Sequence, residues 1–316
     1  MKKALKTIGV IILVLLAVLV IAVAGIFIWH RIMLEKEEPL LEHPLGQLIE
    51  VDGHNMCVYT EGEGEHTLLF LSGSGTPAPI IDFKPLYSLL NDDYRIVVIE
   101  KYGYGFSDVV ETKRSFTTIL RQDREVLEKA GIEGPFILCP HSLSGLEAIL
   151  WAQDYPDEVE AIVGLDNVLP RTYDNYDVEG TLKLEGLFTA AREMGLARLY
   201  YSDSFLPDSL SKEEKDLYRA IASRKLVNVD VMNEGKAIFD AVRLLDSKPK
   251  PDVPMIMFIS DGKETNGSDW VGNHYAYAAD LSNAKVIELG CGHYVHYFKA
   301  DEIAKETRAF LKEQLG

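Results

Sequence analysis

The stretch Phe136-Ile137-Leu138-Cys139-Pro140-His141-Ser142-Leu143-Ser144-Gly145-Leu146 reads as strand, tight turn and helix in immediate succession. Phe136–Cys139 is a short apolar run of the kind buried in a sheet, and Leu146–Tyr155 has helical spacing and ends before Pro156. A serine at such a junction is held on a sharp turn with its hydroxyl exposed, and the crowding of strand and helix demands small residues beside it. Ser144 and Gly145 meet that demand on the helix side. The helix N-terminus supplies free N–H groups and a positive dipole end, suited to an oxyanion. Taken alone, the stretch also fits a plain strand–helix turn with a Ser/Gly cap.

Outward from it, strand-like and helical runs alternate. Gln47–Val51 and Asn55–Thr60 flank Asp52-Gly53, a hairpin turn signal. Thr67–Ser72, Arg95–Glu100, Val159–Leu165, Met255–Ile259 and Ala284–Leu289 are further strand candidates. Phe83, Leu86, Leu89 and Leu90 recur at helical spacing, Ser115–Ala130 is a helix stopped by Gly131, and Asp301–Leu315 is a closing amphipathic helix. The alternation predicts an α/β fold: a mostly parallel sheet with helices on both faces and an antiparallel hairpin at one edge. From Arg171 to Leu245 the pattern is helical throughout, as in Leu184, Leu187, Phe188 and Ala191, and again in Leu217, Ala220 and Ile221. This predicts an all-helical insertion.

Four motifs in order resemble the α/β-hydrolase family. Pro140-His141-Ser142-Leu143-Ser144-Gly145 is similar to its G-H-S-x-G-G nucleophile turn, with Pro140 and Ser144 in place of two glycines. Leu71-Ser72-Gly73-Ser74-Gly75 resembles the H-G-x-G oxyanion loop, with Ser72 for the histidine. Tyr102-Gly103-Tyr104-Gly105-Phe106-Ser107-Asp108 resembles the G-x-G-x-S-D loop after the fourth strand, and Gly290-Cys291-Gly292-His293-Tyr294-Val295 the segment that carries the catalytic histidine. The resemblance spans roughly Gln47 to Leu315. It implies an eight-stranded α/β-hydrolase domain over residues 47–316, with an inserted helical cap at about 168–250.

The resemblance also implies site residues. Ser142 is the expected nucleophile and His293 the base that takes its proton. The backbone N–H groups of Ser74 and Leu143 are the expected oxyanion donors. A carboxylate must orient the imidazole. Many members carry it as G-x-x-D after the penultimate strand, but here Lys263 occupies that position in Ser260-Asp261-Gly262-Lys263-Glu264. Other members carry the acid one strand earlier, where Val163-Gly164-Leu165-Asp166-Asn167 puts Asp166. Asp166 is the first choice, and Asp261 the alternative. The plainer reading of Asp166 is a helix cap for the insertion.

His293 and His296 read as a base with a packed neighbour; no metal and no cofactor are assigned. His54, His66 and His274 read as surface or loop residues. Cys57, Cys139 and Cys291 sit in or beside strand-like runs and read as buried thiols, with a Cys139–Cys291 bridge left open.

Lys and Arg total 32 against 49 Asp and Glu, a formal charge of −17. That balance, with no basic stripe beyond the first residues, argues against nucleic acid as a partner. From Ile8 to Trp29 no residue is charged. As a helix this run spans roughly 33 Å, enough to cross a bilayer. Lys2, Lys3 and Lys6 precede it, while Arg31 and Lys36 are mixed with Glu35, Glu37 and Glu38. This predicts a single-pass anchor over residues 1–30, a linker over 31–46 and a catalytic body outside the cell membrane. Ala22-Val23-Ala24 leaves a cleaved signal peptide as the alternative.

The function expected from the resemblance is hydrolysis of a small-molecule carboxylic ester or amide through an acyl-enzyme. An aminopeptidase of the prolyl iminopeptidase type, a lyase and a non-hydrolytic binding protein of the same fold remain as alternatives.

Overall fold

The computed structural model describes residues 2–173, 180, 185–203, 205–265 and 269–316. Eight strands form one sheet: β1 (Gln47–Val51), β2 (His54–Glu61), β3 (Thr67–Leu71), β4 (Arg95–Glu100), β5 (Phe136–Pro140), β6 (Val159–Leu165), β7 (Met255–Ile259) and β8 (Ala284–Glu288). Their spatial order is β1-β2-β4-β3-β5-β6-β7-β8. β2 runs antiparallel to β1 and β4, and every other pairing is parallel. The hairpin turns on Asp52 and Gly53, both at positive φ, which matches the right-handed twist of the flanking strands.

The central strands are buried along their whole length, because helices cover both faces. Period-two alternation divides each strand between two cores. Leu69, Leu71, Val97, Ile99 and Leu138 face Leu120, Val126, Leu146 and Trp151. Leu68, Phe70, Ile96, Val98 and Ile137 face Phe83, Tyr87, Phe310 and Leu311. The helix Phe116–Lys129 begins where the Ser115 side chain accepts the Thr118 N–H, and Ser144–Asp154 follows β5 directly.

Between β6 and β7 the described elements are helices: Pro170–Tyr173, Glu185–Glu193, Ala197–Tyr200, Lys212–Lys225, Val229–Lys236 and Ile238–Asp246. Leu184, part of the expected helical pattern, lies outside the described residues. A capping box of Ser211 and Glu214 starts Lys212–Lys225, and the Asn228 side chain caps the next helix. The insertion is fastened to the sheet by a buried charge cluster. Lys101, just past β4, donates to Glu147 on the helix after β5 (3.2 Å) and to Glu234 in the insertion (2.6 Å). Burial alone would depress the Lys101 ammonium, but the two carboxylates outweigh it and hold its pKa above the usual lysine range.

The N-terminal helix α1 (Lys2–Glu37) runs on through half of the segment expected to be a linker, and a 3-10 turn, Glu38–Leu41, follows. The charges of that segment are the reason: Glu37 is buried against Arg198 of the insertion, and Arg224 reaches Glu37 and Glu38. No residue in the most apolar stretch of α1 is buried within the described structure.

Candidate active site

The three residues expected to react stand on loops at the carboxyl ends of β5, β6 and β8, where open α/β sheets present their sites. Ser142 has φ +53, a strained value for a residue with a side chain. Its conformation is held from both sides. The His141 N–H donates to Leu71 O, the Gly145 and Val168 N–H groups donate to Ser142 O, and the Ser144 hydroxyl donates to Leu71 O and His141 O. The need for small residues is literal: a Cβ on Gly145 would lie 2.2 Å from Val168 O, and one on Gly73 2.6 Å from Ser142 Cβ. Pro140 occupies the last strand position, opposite Leu71, so it does not enter the helix.

His293 Nε2 lies 2.9 Å from Ser142 Oγ, and its Nδ1 lies 2.6 Å from Asp166 Oδ2. A carboxylate can only accept, so Nδ1 carries the proton and Nε2 is free to accept from the serine hydroxyl. Asp166 is fully buried, with φ +47. Its other oxygen accepts the Ser260 N–H and the Trp270 indole N–H, each at 2.7 Å. These fixed donors replace the water that burial removes from the carboxylate. Asp261, by contrast, turns outward and pairs with Lys263 at 2.6 Å. Glu264 accepts the His293 backbone N–H at 2.9 Å. Ser142 and His293 both remain partly open to solvent.

Ser74 sits exposed in the loop after β3, and Leu143 immediately precedes the helix after β5. Among the described residues, no backbone carbonyl takes the N–H of either. The Gly103–Asp108 loop does structural work instead. The Ser107 hydroxyl donates to Glu100 O and accepts the Cys57 N–H, and Asp108 accepts the Asn55 N–H.

His141 lies beneath His293, with its Nε2 3.3 Å from His293 O. Burial first, then the neighbouring His296 and His293, depress its pKa well below the usual value, so it packs as a neutral ring. His296 is buried and bonded to Asp82 at 2.9 Å. His54 is exposed and His66 pairs with Glu160 at the surface. His274, expected at the surface or in a loop, is helical and fully buried: it follows Trp270 by one helical turn, and its ring nitrogens face Trp270 O and Asn167 O. That correction has a physical cause, since the helix Trp270–Ala279 turns its inner face onto the segment carrying Asp166. The three cysteines are free; Cys57 and Cys139 are buried and Cys291 only partly so. Trp270 and Ser260 escaped the sequence reading, because the Ser260 contact runs through a backbone group and the Trp270 contact depends on the fold, while Glu264, near the expected acid position in the sequence, meets the His293 backbone and not its ring.

With the fold and this geometry in hand, the family follows. Residues 71–300 match the family model described as alpha/beta hydrolase fold, and the chain belongs to that family. It is 33% identical over 325 residues to the uncharacterised protein YbdG of Bacillus subtilis (strain 168), covering 99% of both chains. It is 26% identical over 125 residues to a 2-(acetamidomethylene)succinate hydrolase of Mesorhizobium japonicum, covering 40% of this chain and 44% of that one. Among solved structures, Cfl2 from Burkholderia cenocepacia superposes with a TM-score of 0.67 at 22% identity, covering 84% of this chain and 94% of that one. The enol-lactonase of Burkholderia xenovorans LB400 superposes with a TM-score of 0.65 at 16% identity, covering 84% and 100%. The Mesorhizobium japonicum relative supports a hydrolase; the two structural likenesses speak for the fold alone.

Proposed function

We propose that the protein is a serine hydrolase that cleaves a carboxylic ester or amide through an acyl-enzyme. The observation that carries this is the relay of hydroxyl, imidazole and buried carboxylate at 2.9 and 2.6 Å, built on a serine at positive φ. Ser142 Oγ attacks the substrate carbonyl as its proton passes to His293 Nε2. Asp166 stabilises the imidazolium and holds its tautomer. The N–H groups of Ser74 and Leu143 receive the developing oxyanion. On collapse, the leaving alcohol or amine takes the proton from Nε2. Water then attacks the acyl carbonyl, gives its proton to Nε2, and releases the acid while Ser142 recovers its hydrogen. A helical cap at about 168–250 shields these steps from bulk water.

The uncharged run Ile8–Trp29 and the lysines before it favour an anchor at the cell membrane, with the catalytic domain outside. Fluorophosphonate labelling of the membrane-extracted protein tests the chemistry. Labelling that Ser142→Ala abolishes is expected; labelling that survives the substitution overturns the assignment. Intact mass tests the anchor, and a chain beginning at Gly25 would refute it.

A further inference from the structure

The insertion grips α1 instead of hanging from it. Arg198 donates to both carboxylate oxygens of Glu37, at 2.5 and 2.7 Å, and through Nε to His30 Nδ1 at 2.9 Å. All three side chains are buried. Arg224 adds bonds to Leu34 O and to Glu38. Gly195 lies so close that a Cβ there would meet His30 Cβ at 2.5 Å. The orientation of the catalytic body relative to α1 is therefore set.

That orientation has a level. The Arg198 guanidinium lies 5.8 Å from the ring of Trp29, the last residue of the uncharged run. Tryptophan collects at the boundary between hydrocarbon and water. One helical turn rises only about 5.4 Å, so the neighbours of Arg198 lie close to the depth of that boundary. Those neighbours are apolar and open: Leu196 is 38% exposed, Leu199 56% and Tyr200 57%. A chain of rings leads inward from them. Tyr200 lies 4.7 Å from Phe205, Phe205 lies 5.5 Å from Tyr294, and Tyr294 lies 6.0 Å from His293, centroid to centroid.

We propose that this apolar face of the insertion rests on the bilayer and admits a membrane-resident long-chain acyl ester. The hydrocarbon tail follows the rings from Tyr200 to Tyr294 while the ester carbonyl reaches Ser142. Water cleaves the acyl C–O bond, giving a fatty acid and the alcohol, and Ser142 and His293 return to their starting states. The bilayer is favoured over a protein partner because the patch is continuous with the helix proposed to cross it, which would set Trp29 among the lipid head groups. The substrate class rests on the serine-hydrolase reading, and the seating of the patch rests on the anchor reading alone.

The experiment uses the full chain in phosphatidylcholine vesicles. Turnover of monooleoylglycerol carried in the vesicles is compared with turnover of p-nitrophenyl acetate in the water. In a Leu199→Glu, Tyr200→Glu variant the ratio of the two rates should fall at least about tenfold, because two carboxylates resist the interface. A parent that ignores the vesicle-borne ester, or a ratio that falls less than about tenfold, overturns the substrate class. Seating is read separately, from a nitroxide on Leu199→Cys in a Cys291→Ser background. Relaxation by oxygen should exceed relaxation by a water-soluble nickel chelate; the reverse overturns the proposal. If Ser142 takes no fluorophosphonate and neither ester is cleaved, the hydrolase reading falls and the substrate class with it, while the nitroxide still decides whether the patch meets lipid.

Discussion

Trp270 donates its indole N–H to Asp166 Oδ1 at 2.7 Å, on the side of the carboxylate turned away from His293. With the Ser260 N–H on the same oxygen, it fixes the plane of the carboxylate and leaves Oδ2 to the imidazole. Trp270→Phe keeps most of the ring packing and removes the donor. A hydrogen bond to a charged group contributes about 1.5–3 kcal/mol, so kcat/KM should fall roughly 10- to 100-fold. The loss should sit mainly in kcat, because the tryptophan acts through Asp166 and His293. Steady-state kinetics on an ester decide it, and an unchanged kcat would show that Ser260 alone suffices.

Asp166 and Asp261 should separate cleanly under amide substitution. Asp166→Asn presents an N–H or a misdirected carbonyl to His293 Nδ1 and selects the wrong tautomer, so kcat should drop on the order of 10⁴-fold. Asp261→Asn breaks only a surface pair with Lys263, and turnover should stay within about twofold of the parent, since exposed pairs contribute little. Equal losses in both variants would remove Asp166 from its proposed role.

Gly73→Ala probes the spacing between the β3 loop and the serine. The added methyl would stand 2.6 Å from Ser142 Cβ and 3.0 Å from His141 O, and neither neighbour is the end of a flexible chain. One of the two loops must shift. A displacement near 1 Å in a reacting group costs roughly 10²-fold, and kcat/KM measured on the variant should show a loss of that order. Full activity would mean that the loop yields without moving Ser142.

A buried proton should shape the pH dependence of stability. Asp123 is fully buried against Glu147. Burial first, then the charge of Glu147, raises its pKa well above the usual carboxylate value. The folded chain thus keeps a proton that the unfolded chain has lost, and stability falls as pH rises from the ordinary aspartate range toward the raised folded value. Asp123→Asn supplies a permanent donor to Glu147, whose Oε1 lacks one. The gain in Tm over the parent should therefore grow as pH rises above the ordinary aspartate range. A pH-independent difference would show that the proton is absent.

The sheet was legible because its strands are buried on both faces. Runs such as Phe136–Cys139 and Met255–Ile259 are continuous apolar segments with helical stretches between them, and that alternation leaves few topologies. The strand–turn–helix around Ser142 was legible for a related reason: close approach at Gly73 and Gly145 excludes side chains, and exclusion leaves a mark in composition. Residues 31–46 misread easily. Their charges resemble those of a solvated linker, and only the facing Arg198 and Arg224, some 160 residues or more away, turn them into a docked helix end.

By itself, the sequence determined the strand and helix periods, the turn that exposes a serine, the uncharged run near the N-terminus and the histidine after the last strand. Each of these is written in local spacing, which a single segment can carry. The tertiary structure alone decided which carboxylate meets His293, that Trp270 and Ser260 steady it, that His274 is buried, and that the insertion clasps α1. Those are pairings between segments of similar polarity, and many acids and amides in the chain could satisfy them on paper. Only the parallel pairing of β6, β7 and β8 side by side brings one Asp166 oxygen to the imidazole and the other to its two donors.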